Sequence, residues 1–194
     1  MRLITLTPEL ICSNYEEHMC EDFPPVELKP LKNILLALEK GIYQCFGLVD
    51  ESDYTESQAP RLYGYAYLIK VGEEYLIDYL AIYPEYRDQG LGSELLKLIG
   101  TELSNATSIL VEVEDPSGSS SPEELETRER RLSFYLRNGL ISTGVNALCF
   151  SVPYRLLEFK SVPRLHSQSE IRKLYKLVYK TMLPPKMYEE NIKV

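Results

Sequence analysis

The stretch from Tyr75 to Leu103 constrains the fold more than any other part of the chain. It begins with strand-forming residues, passes through a short turn that holds Gly90 and Gly92, and continues with apolar residues at helical spacing. A strand that leads into a helix through a glycine turn points free backbone N–H groups and the positive end of the helix dipole at one place. The sequence therefore predicts a mixed α/β fold with an anion-binding turn, most naturally for a phosphate group.

Two better-known glycine turns do not fit this spacing. A dinucleotide-binding fingerprint requires a third glycine at the position of Leu95, and a P-loop requires Lys and Ser or Thr directly after its last glycine. On the glycines alone, an anion site and a purely structural tight helix entry are equally good interpretations. The wider sequence has to decide between them.

The rest of the chain alternates between strand-type and helix-type patterns. Segments rich in Tyr, Ile, Val and Leu predict strands at 2–7, 42–49, 61–71, 75–83, 108–114, 140–145 and 148–153. Apolar residues at helical spacing predict helices at about 8–20, 31–40, 90–103, 122–138 and 168–183. The polar, acidic residues 50–60 predict a loop. This order excludes a plain helical bundle or β-sandwich and predicts one central sheet of about seven strands, mostly antiparallel, with helices on both faces.

Two helix starts are especially clear in the sequence. Ser121 and Glu124 have the spacing of a capping box, with Pro122 at the first helical position, and Ser167 and Glu170 repeat that spacing. Each helix is predicted to bury an apolar face, formed by Leu125, Leu132, Tyr135 and Leu136 in the first and by Ile171, Leu174, Tyr175 and Val178 in the second. We expect a domain at residues 1–160, followed by a helical extension at 161–194 that packs on the domain or on a partner subunit.

Composition narrows the classes of partner. The formal net charge of −8 disfavours a sequence-independent grip on nucleic acid, which depends on Lys and Arg. Apolar runs such as Ile34–Leu38 are far shorter than the ~20 residues of a membrane span, and residues 1–8 do not resemble a signal peptide. The four cysteines form no CxxC pair and the two histidines lie far apart, so we expect no metal site. We expect a cytoplasmic protein with reduced thiols.

A wider string around the glycines carries a family resemblance. Residues 87–92, Arg-Asp-Gln-Gly-Leu-Gly, match the R/Q-x-x-G-x-G/A signature of the GNAT superfamily of acyl-CoA-dependent N-acyltransferases, and residues 80–86 resemble its usual approach. Residues 134–140 resemble a second signature, Tyr-x-x-x-Gly-Phe, with Leu140 in place of Phe. The two signatures occur in the right order, and the resemblance covers roughly residues 2–153. The chain is thus identified as a member of this superfamily with a GNAT-like sheet and an extra C-terminal helix.

The resemblance implies acetyl-CoA as the co-substrate and no metal. In this family the pyrophosphate lies on the turn amides, which here belong to Arg87, Asp88, Gln89, Gly90, Leu91, Gly92 and Ser93. The pantetheine arm runs along the fourth strand, where it splays from the fifth, beside Leu80, Ala81 and Ile82. The acceptor amine attacks the thioester directly, so no covalent enzyme intermediate is expected. The second signature also contributes Tyr135 to the cofactor-binding residues.

The resemblance also implies catalytic residues. Tyr135 falls on the family tyrosine that protonates the departing thiolate, although a core aromatic is its alternative interpretation. The general base stays open among Asp78, Glu112 and Glu114, and for the two glutamates an ion pair with Arg128 or Arg131 is an equally good interpretation. Some family members carry an Asn where this chain has Arg128, and an Ala is common where it has Arg131. The replacement of the Asn puts one pantetheine contact in doubt.

The resemblance also implies that the acceptor site is framed by the loop between the first two helices and by the last strands. Five acids are concentrated in that helix–loop region, namely Glu16, Glu17, Glu21, Asp22 and Glu27, and they favour a small, positively charged primary amine. The alternative function is a non-catalytic GNAT-like module that binds or senses acyl-CoA. The amphipathic tail is compatible with a homodimer.

Overall fold

A computed structural model describes residues 1–52 and 59–194 of the chain. Part of the predicted 50–60 loop lies outside the described residues. The chain divides into two compact units. The first unit comprises Met1–Ile69 with Asp78–Glu102, and the second comprises Lys70–Ile77 with Leu103–Val194.

The first unit is built on antiparallel strands. Strand β1 (Arg2–Thr5) pairs with β2 (Tyr43–Val49), and β2 pairs with β3 (Leu62–Val71). Large aromatic side chains fill the core on this sheet, because Tyr65 and Tyr67 of β3 are completely buried. The hydroxyl of Tyr67 accepts a hydrogen bond from the buried Asn14 amide at 3.0 Å.

The helices of the first unit begin where the sequence predicts. Thr7 caps α1 (Pro8–Asn14), which continues through a π-helical turn at Tyr15–Met19 and ends in α2 (Cys20–Asp22). Helix α3 (Leu31–Glu39) ends before Gly41, whose φ of 68° is the left-handed value that favours glycine. Strand β4 (Glu74–Ile82) and helix α4 (Leu91–Glu102) flank the glycine turn.

The second unit pairs β5 (Ser108–Glu114) with β7 (Val152–Phe159), and β7 with β6 (Leu140–Cys149), all antiparallel. The first residues of β4 run parallel to β5. Strand order in the sheet is β1-β2-β3-β4-β5-β7-β6-β8, so the mixed, mostly antiparallel sheet is confirmed. The eighth strand, β8 (Ile192–Lys193), was not predicted because two residues carry no readable alternation.

The predicted boundary between the last two long strands was wrong. Strand β6 extends to Cys149 with an irregularity between Ser142 and Asn146, and the turn into β7 consists of Phe150 and Ser151. These two residues have φ values of 47° and 69°. The turn contains neither glycine nor proline, and a single serine is a weak turn signal, so the boundary was not readable from the sequence.

Helix α5 (Pro122–Arg137) differs from its prediction in which face it buries. Leu125 and Leu136 are 39% and 43% exposed, whereas Arg128 is only 6% exposed. Arg128 is buried because Glu114 of β5, the Asp115 carbonyl and Glu124 of the helix itself all bind its guanidinium. The predicted capping box is also incomplete, because the Glu124 carboxylate accepts from the backbone and hydroxyl of Ser120 rather than from the Ser121 backbone.

The C-terminal tail follows its prediction more closely. Helix α6 (Gln168–Met182) begins with a complete capping box and buries Ile171, Leu174, Tyr175, Val178 and also Tyr179. A short helix, α7 (Pro185–Asn191), connects it to β8. Among the described residues, no helix is both long enough and apolar enough to cross a bilayer.

Candidate active site

Strand β4 loses its parallel neighbour halfway along its length. The pairing with β5 runs from Glu74–Ser108 to Ile77–Val111 and then ends, while β4 continues to Ile82. Asp78, Leu80, Ala81 and Ile82 lie on this continuation and are partly buried. A strand that continues past its partner presents backbone groups that an extended ligand can pair with.

The glycine turn after β4 leaves a run of backbone amides without acceptors. Within residues 1–52 and 59–194, the N–H groups of residues 88 to 92 donate to no protein acceptor. Asp88 and Gly90 have φ values of 62° and 79°, and such left-handed residues turn successive N–H groups toward one side of the chain. The amides of Ser93 and Glu94 are already used, since both donate to the Gly90 carbonyl. In the described part of the protein, the turn therefore leaves the donors of residues 88–92 without a protein acceptor.

The Arg87 side chain has a different environment from the one its motif suggests. Its guanidinium donates to Asp22 at 2.7 Å and to the Ile82 carbonyl at 2.9 Å. Asp22 also accepts from the Tyr65 hydroxyl at 2.9 Å, so the arginine closes a network inside the first unit. Gln89 likewise donates to the Glu85 carbonyl at 3.2 Å. In this structure the turn offers backbone amides rather than the Arg87 charge.

Asp78 is held by a cation and a phenol. The Lys29 ammonium donates to both of its carboxylate oxygens, at 2.7 and 2.8 Å, and the Tyr43 hydroxyl donates to one of them. The carboxylate side chain is 5% exposed and the lysine side chain 22%. Burial, followed by the Asp78 charge, raises the pKa of Tyr43 well above its usual value, so the phenol stays a proton donor.

Glu112, the second predicted base, is bound by the tail. Tyr175 and Tyr179 of α6 both donate their hydroxyls to its carboxylate, the latter at 2.8 and 3.0 Å. The Cys149 thiol contacts the Tyr179 hydroxyl at 3.3 Å. Burial, followed by the Glu112 charge, raises the pKa of Tyr175. The structure thus joins this acid to the tail helix through two phenols.

Glu114 takes the structural role that the sequence left open. Arg128 approaches its carboxylate at 3.4 Å, and Arg131 donates to it as well. Arg128 also donates to the Asp115 carbonyl at 2.9 Å and to Glu124 at 2.6 Å. Its Nε is buried without a partner in the described part of the protein. The ion-pair interpretation of Glu114 is therefore confirmed.

Tyr135 lies on α5 with its hydroxyl uncommitted. Its ring meets the Phe134 ring edge-on, with centroids 5.2 Å apart. Its hydroxyl makes no hydrogen bond to any residue that the structure describes. Burial raises the pKa of the phenol to about 12, and the Arg131 charge lowers it slightly against that trend. A neutral phenol with a free hydroxyl is a competent proton donor.

The acids predicted to attract the acceptor differ in their exposure and in their ion pairs. Glu16, Glu17 and Glu21 are exposed, whereas Asp22 is paired with Arg87. Lys29, in the same region between α2 and α3, is paired with Asp78. The described residues contain no group of three or more His, Cys, Asp or Glu side chains arranged to hold a metal ion.

Four side chains next to the predicted residues were missed by the sequence analysis. Lys29 and Tyr43 are distant from Asp78 in the chain, and no local pattern connects them. Tyr175 and Tyr179 are four residues apart on one helix face, and that spacing was a usable signal. What they bind was not readable, because it depends on how α6 packs on β5.

Comparison with solved structures defines the fold. The structure resembles that of an acetyltransferase described as being from the GNAT family, from Bacteroides thetaiotaomicron, with a TM-score of 0.69 and 20% identity over 91% of this chain and 96% of that chain. It also resembles the ribosomal-protein-S18-alanine N-acetyltransferase from Escherichia coli, with a TM-score of 0.58 and 16% identity over 84% and 96% of the two chains. An aminoglycoside 6'-N-acetyltransferase complexed with coenzyme A gives a TM-score of 0.56 and 15% identity over 86% and 100%.

Comparison of sequences identifies the family. No curated protein matches the chain in sequence. The model of the acetyltransferase (GNAT) family matches residues 13–116, more than half of the 194 residues. The matched segment includes β4, the glycine turn, α4 and β5, while Tyr135 lies beyond it. The chain is an acetyltransferase and belongs to the GNAT family.

Proposed function

We propose that this protein transfers the acetyl group of acetyl-CoA to a primary amine of a small cationic acceptor, which attacks the thioester directly in a ternary complex. The observation that carries the proposal is the run of unpaired amides at residues 88–92. A pyrophosphate on these amides satisfies donors that the described protein residues leave open. Arg87 directly precedes these amides, but its own N–H donates to the Pro84 carbonyl and its side chain to Asp22.

The pantetheine arm is assigned to the part of β4 after Ile77, on the edge where the pairing with β5 has ended. An extended arm beside Leu80, Ala81 and Ile82 pairs with backbone groups there in the manner of an added strand. Of the two residues expected to pair with the arm, Leu80 and Ile82, the Ile82 carbonyl already accepts from Arg87, so Leu80 has more free capacity for this pairing. Such binding fixes the thioester in position, which supplies a large part of the catalysis in a direct transfer.

We assign proton transfer to Asp78 and Tyr135. Asp78 already accepts a primary ammonium, that of Lys29, so its carboxylate suits an acceptor amine that must lose a proton. Tyr135 has a free hydroxyl and a high pKa, which suit it to protonate the departing thiolate. Glu112 is the weaker candidate for the base, because two phenols stabilise its charged form.

We assign the acceptor substrate to the class of cationic amines. Glu16, Glu17 and Glu21 are exposed and give the region between the first helices an acidic surface that attracts positive charge. An aminoglycoside N-acetyltransferase is among the proteins with a similar fold. A panel of polyamines, aminoglycosides, amino acids and peptides with acetyl-CoA tests this assignment. Turnover restricted to neutral or anionic amines would contradict it.

Calorimetric titration with coenzyme A tests the turn. We expect Gly90→Ala to weaken binding at least tenfold, because a side chain at φ 79° distorts the loop that holds the amides. Gly72→Ala is the matched control: Gly72 also has a positive φ of 64°, and an added Cβ has open space at both positions. An equal loss of affinity in the two variants, or no binding by the unaltered protein, would refute the proposed site.

A further inference from the structure

The loop between α2 and α3 places a primary amine beside the part of β4 that continues past its pairing with β5. The Lys29 backbone N–H donates to the Tyr79 hydroxyl at 2.8 Å, and that hydroxyl donates to the Glu27 carbonyl at 2.9 Å. These two bonds fasten the loop, at Glu27 and at Lys29 itself, to one tyrosine of β4. The lysine side chain then passes the Tyr79 ring, with its ammonium 5.2 Å from the ring centroid, and ends on Asp78.

This arrangement has the features expected of an acceptor bound for reaction. A primary ammonium makes two short hydrogen bonds to a carboxylate that is 5% exposed, and an aromatic face adds a cation–π contact. Asp78 and Leu80 are two residues apart on one strand, about 7 Å along its axis. The amine therefore lies beside the backbone to which the proposed function assigns the pantetheine arm.

We propose that Lys29 is a self-acetylation site, modified at Nζ by the acetyl-CoA bound to its own chain. The inference rests on the proposed function, since it uses the same turn, strand edge and base. Nothing in the ion pair requires a second protein molecule, because the lysine, the carboxylate and the strand all belong to the first unit.

The step balances without any further reactant. The Lys29 ammonium gives one proton to Asp78, and the amine lone pair forms a C–N bond with the thioester carbonyl carbon. The C–S bond then breaks, and sulfur leaves with the bonding electrons. The nitrogen loses its second proton and the thiolate gains one, so the products are N-acetyl-lysine, coenzyme A thiol and one released proton.

Uncatalysed acetylation would show the opposite preference among lysines. Lys32 lies three residues away at the start of α3 and is exposed, whereas Lys29 is 22% exposed and ion-paired. Free acetyl-CoA in solution reacts faster with an exposed amine than with one held by a carboxylate. A preference for Lys29 over Lys32 therefore identifies the reaction as enzymatic, and Lys32 serves as an internal reference.

The test incubates the purified full chain with acetyl-CoA alone and follows each lysine by peptide mass spectrometry. We expect Lys29 to be acetylated at least tenfold faster than Lys32, with a fractional rate that does not change with protein concentration. Lys29→Arg should remove the fast site, and Lys32→Arg should leave it. A Lys29 rate no higher than that of Lys32, or one that rises with protein concentration, would overturn the inference.

A variant of Asp78 tests its role as the base. Asp78→Asn keeps the size of the side chain and removes the base, so we expect Lys29 acetylation to slow by about 10²-fold. An undiminished rate in this folded variant would overturn the part given to Asp78. Since the wild-type ratio of Lys29 to Lys32 needs no variant, the test holds even if Asp78→Asn fails to fold.

Coenzyme A titration on the same sample distinguishes the two levels of the argument. If the protein binds coenzyme A and acetylates an added amine while Lys29 reacts no faster than Lys32, the self-acetylation inference alone is wrong. If the protein binds no coenzyme A, the proposed function is wrong and the inference falls with it.

Discussion

Asp78 and Glu112 show how two strand carboxylates acquire different chemistry from their surroundings. Both lie on strands and both fit the sequence pattern of a general base. Asp78 faces a lysine ammonium, whereas Glu112 faces two tyrosine hydroxyls fixed on α6. A bound ammonium can lose a proton to its carboxylate, but a phenol of raised pKa keeps its own. The ammonium partner of Asp78 therefore fits the base proposed above, whereas the phenol partners of Glu112 fit a structural contact with α6.

Replacement of Tyr135 by Phe tests proton donation at the scale of one atom. We expect Tyr135→Phe to lower kcat by about 10²-fold, because the leaving thiolate loses its donor, and to leave coenzyme A affinity nearly unchanged. Since burial raises the pKa of Tyr135 to about 12, the phenol stays protonated below that pH. The wild-type pH–rate profile should therefore show no fall from Tyr135 ionisation up to pH 10.

Tyr188→Phe supplies the control for this variant, because Tyr188 lies on α7 and contacts Lys180. Its turnover should equal that of the unaltered protein. An unchanged kcat in Tyr135→Phe would remove Tyr135 from the mechanism.

At the scale of elements, β3 and β4 approach each other unusually closely at Gly64. A Cβ added there would lie 2.5 Å from the Ala81 carbonyl oxygen and 3.1 Å from the Ile82 Cα, both backbone atoms. The strand segment assigned to the pantetheine arm is thus packed against a glycine. A larger residue at this position has to displace β4 itself.

Gly64→Ala should therefore destabilise the protein by roughly 3 kcal/mol, the upper part of the range for overpacking, measured as the free energy of unfolding in urea. Gly47→Ala on the adjacent strand is the control. An added Cβ there also makes contacts below 3 Å, but with the side-chain ends of Leu6 and Leu62, which can move. If the two variants lose equal stability, backbone crowding at Gly64 is not the cause.

Helix α5 shows how charge can override an apolar pattern within one element. Its leucines at positions 125 and 136 suggest an inward face, yet the helix buries Arg128 against Glu114, Glu124 and the Asp115 carbonyl. Acids on β5 and on the first turn of the helix supply partners for the guanidinium, and without them burial of this arginine would be prohibitive. From the sequence, the pairing of Glu114 with Arg128 or Arg131 was one of two open interpretations, and the burial of Arg128 was not predicted.

At the scale of the whole molecule, the four thiols differ in how far they are protected from solvent. Cys20 is exposed and Cys12 is partly buried, whereas Cys45 of the first unit and Cys149 of the second are buried. Burial, followed by the charge of Asp78, raises the pKa of Cys45 to about 12. Thiolate is the reactive form, so burial and the raised pKa both lower the reactivity of Cys45.

Alkylation of the native protein at pH 8 should therefore label Cys20 first and leave Cys45 and Cys149 unlabelled until unfolding. Mass spectrometry of the labelled peptides measures this order. Because the Cys45 thiol loses its proton only near its raised pKa, its protection should persist to pH 10. Labelling of Cys45 at the rate of Cys20 in the folded protein would contradict the packing of β2.

The sequence by itself determined the order of the first seven strands and the long helices, the strand–turn–helix junction at Gly90 and the family, because local propensities and short motifs are written in consecutive residues. It did not determine the partners of Asp78, Glu112 or Arg128, nor the close approach at Gly64. Those contacts join residues far apart in the chain, such as Lys29 with Asp78 and Tyr179 with Glu112. Only the tertiary structure decided them, because the free energy of a buried charge depends on what packing brings within a few ångströms of it.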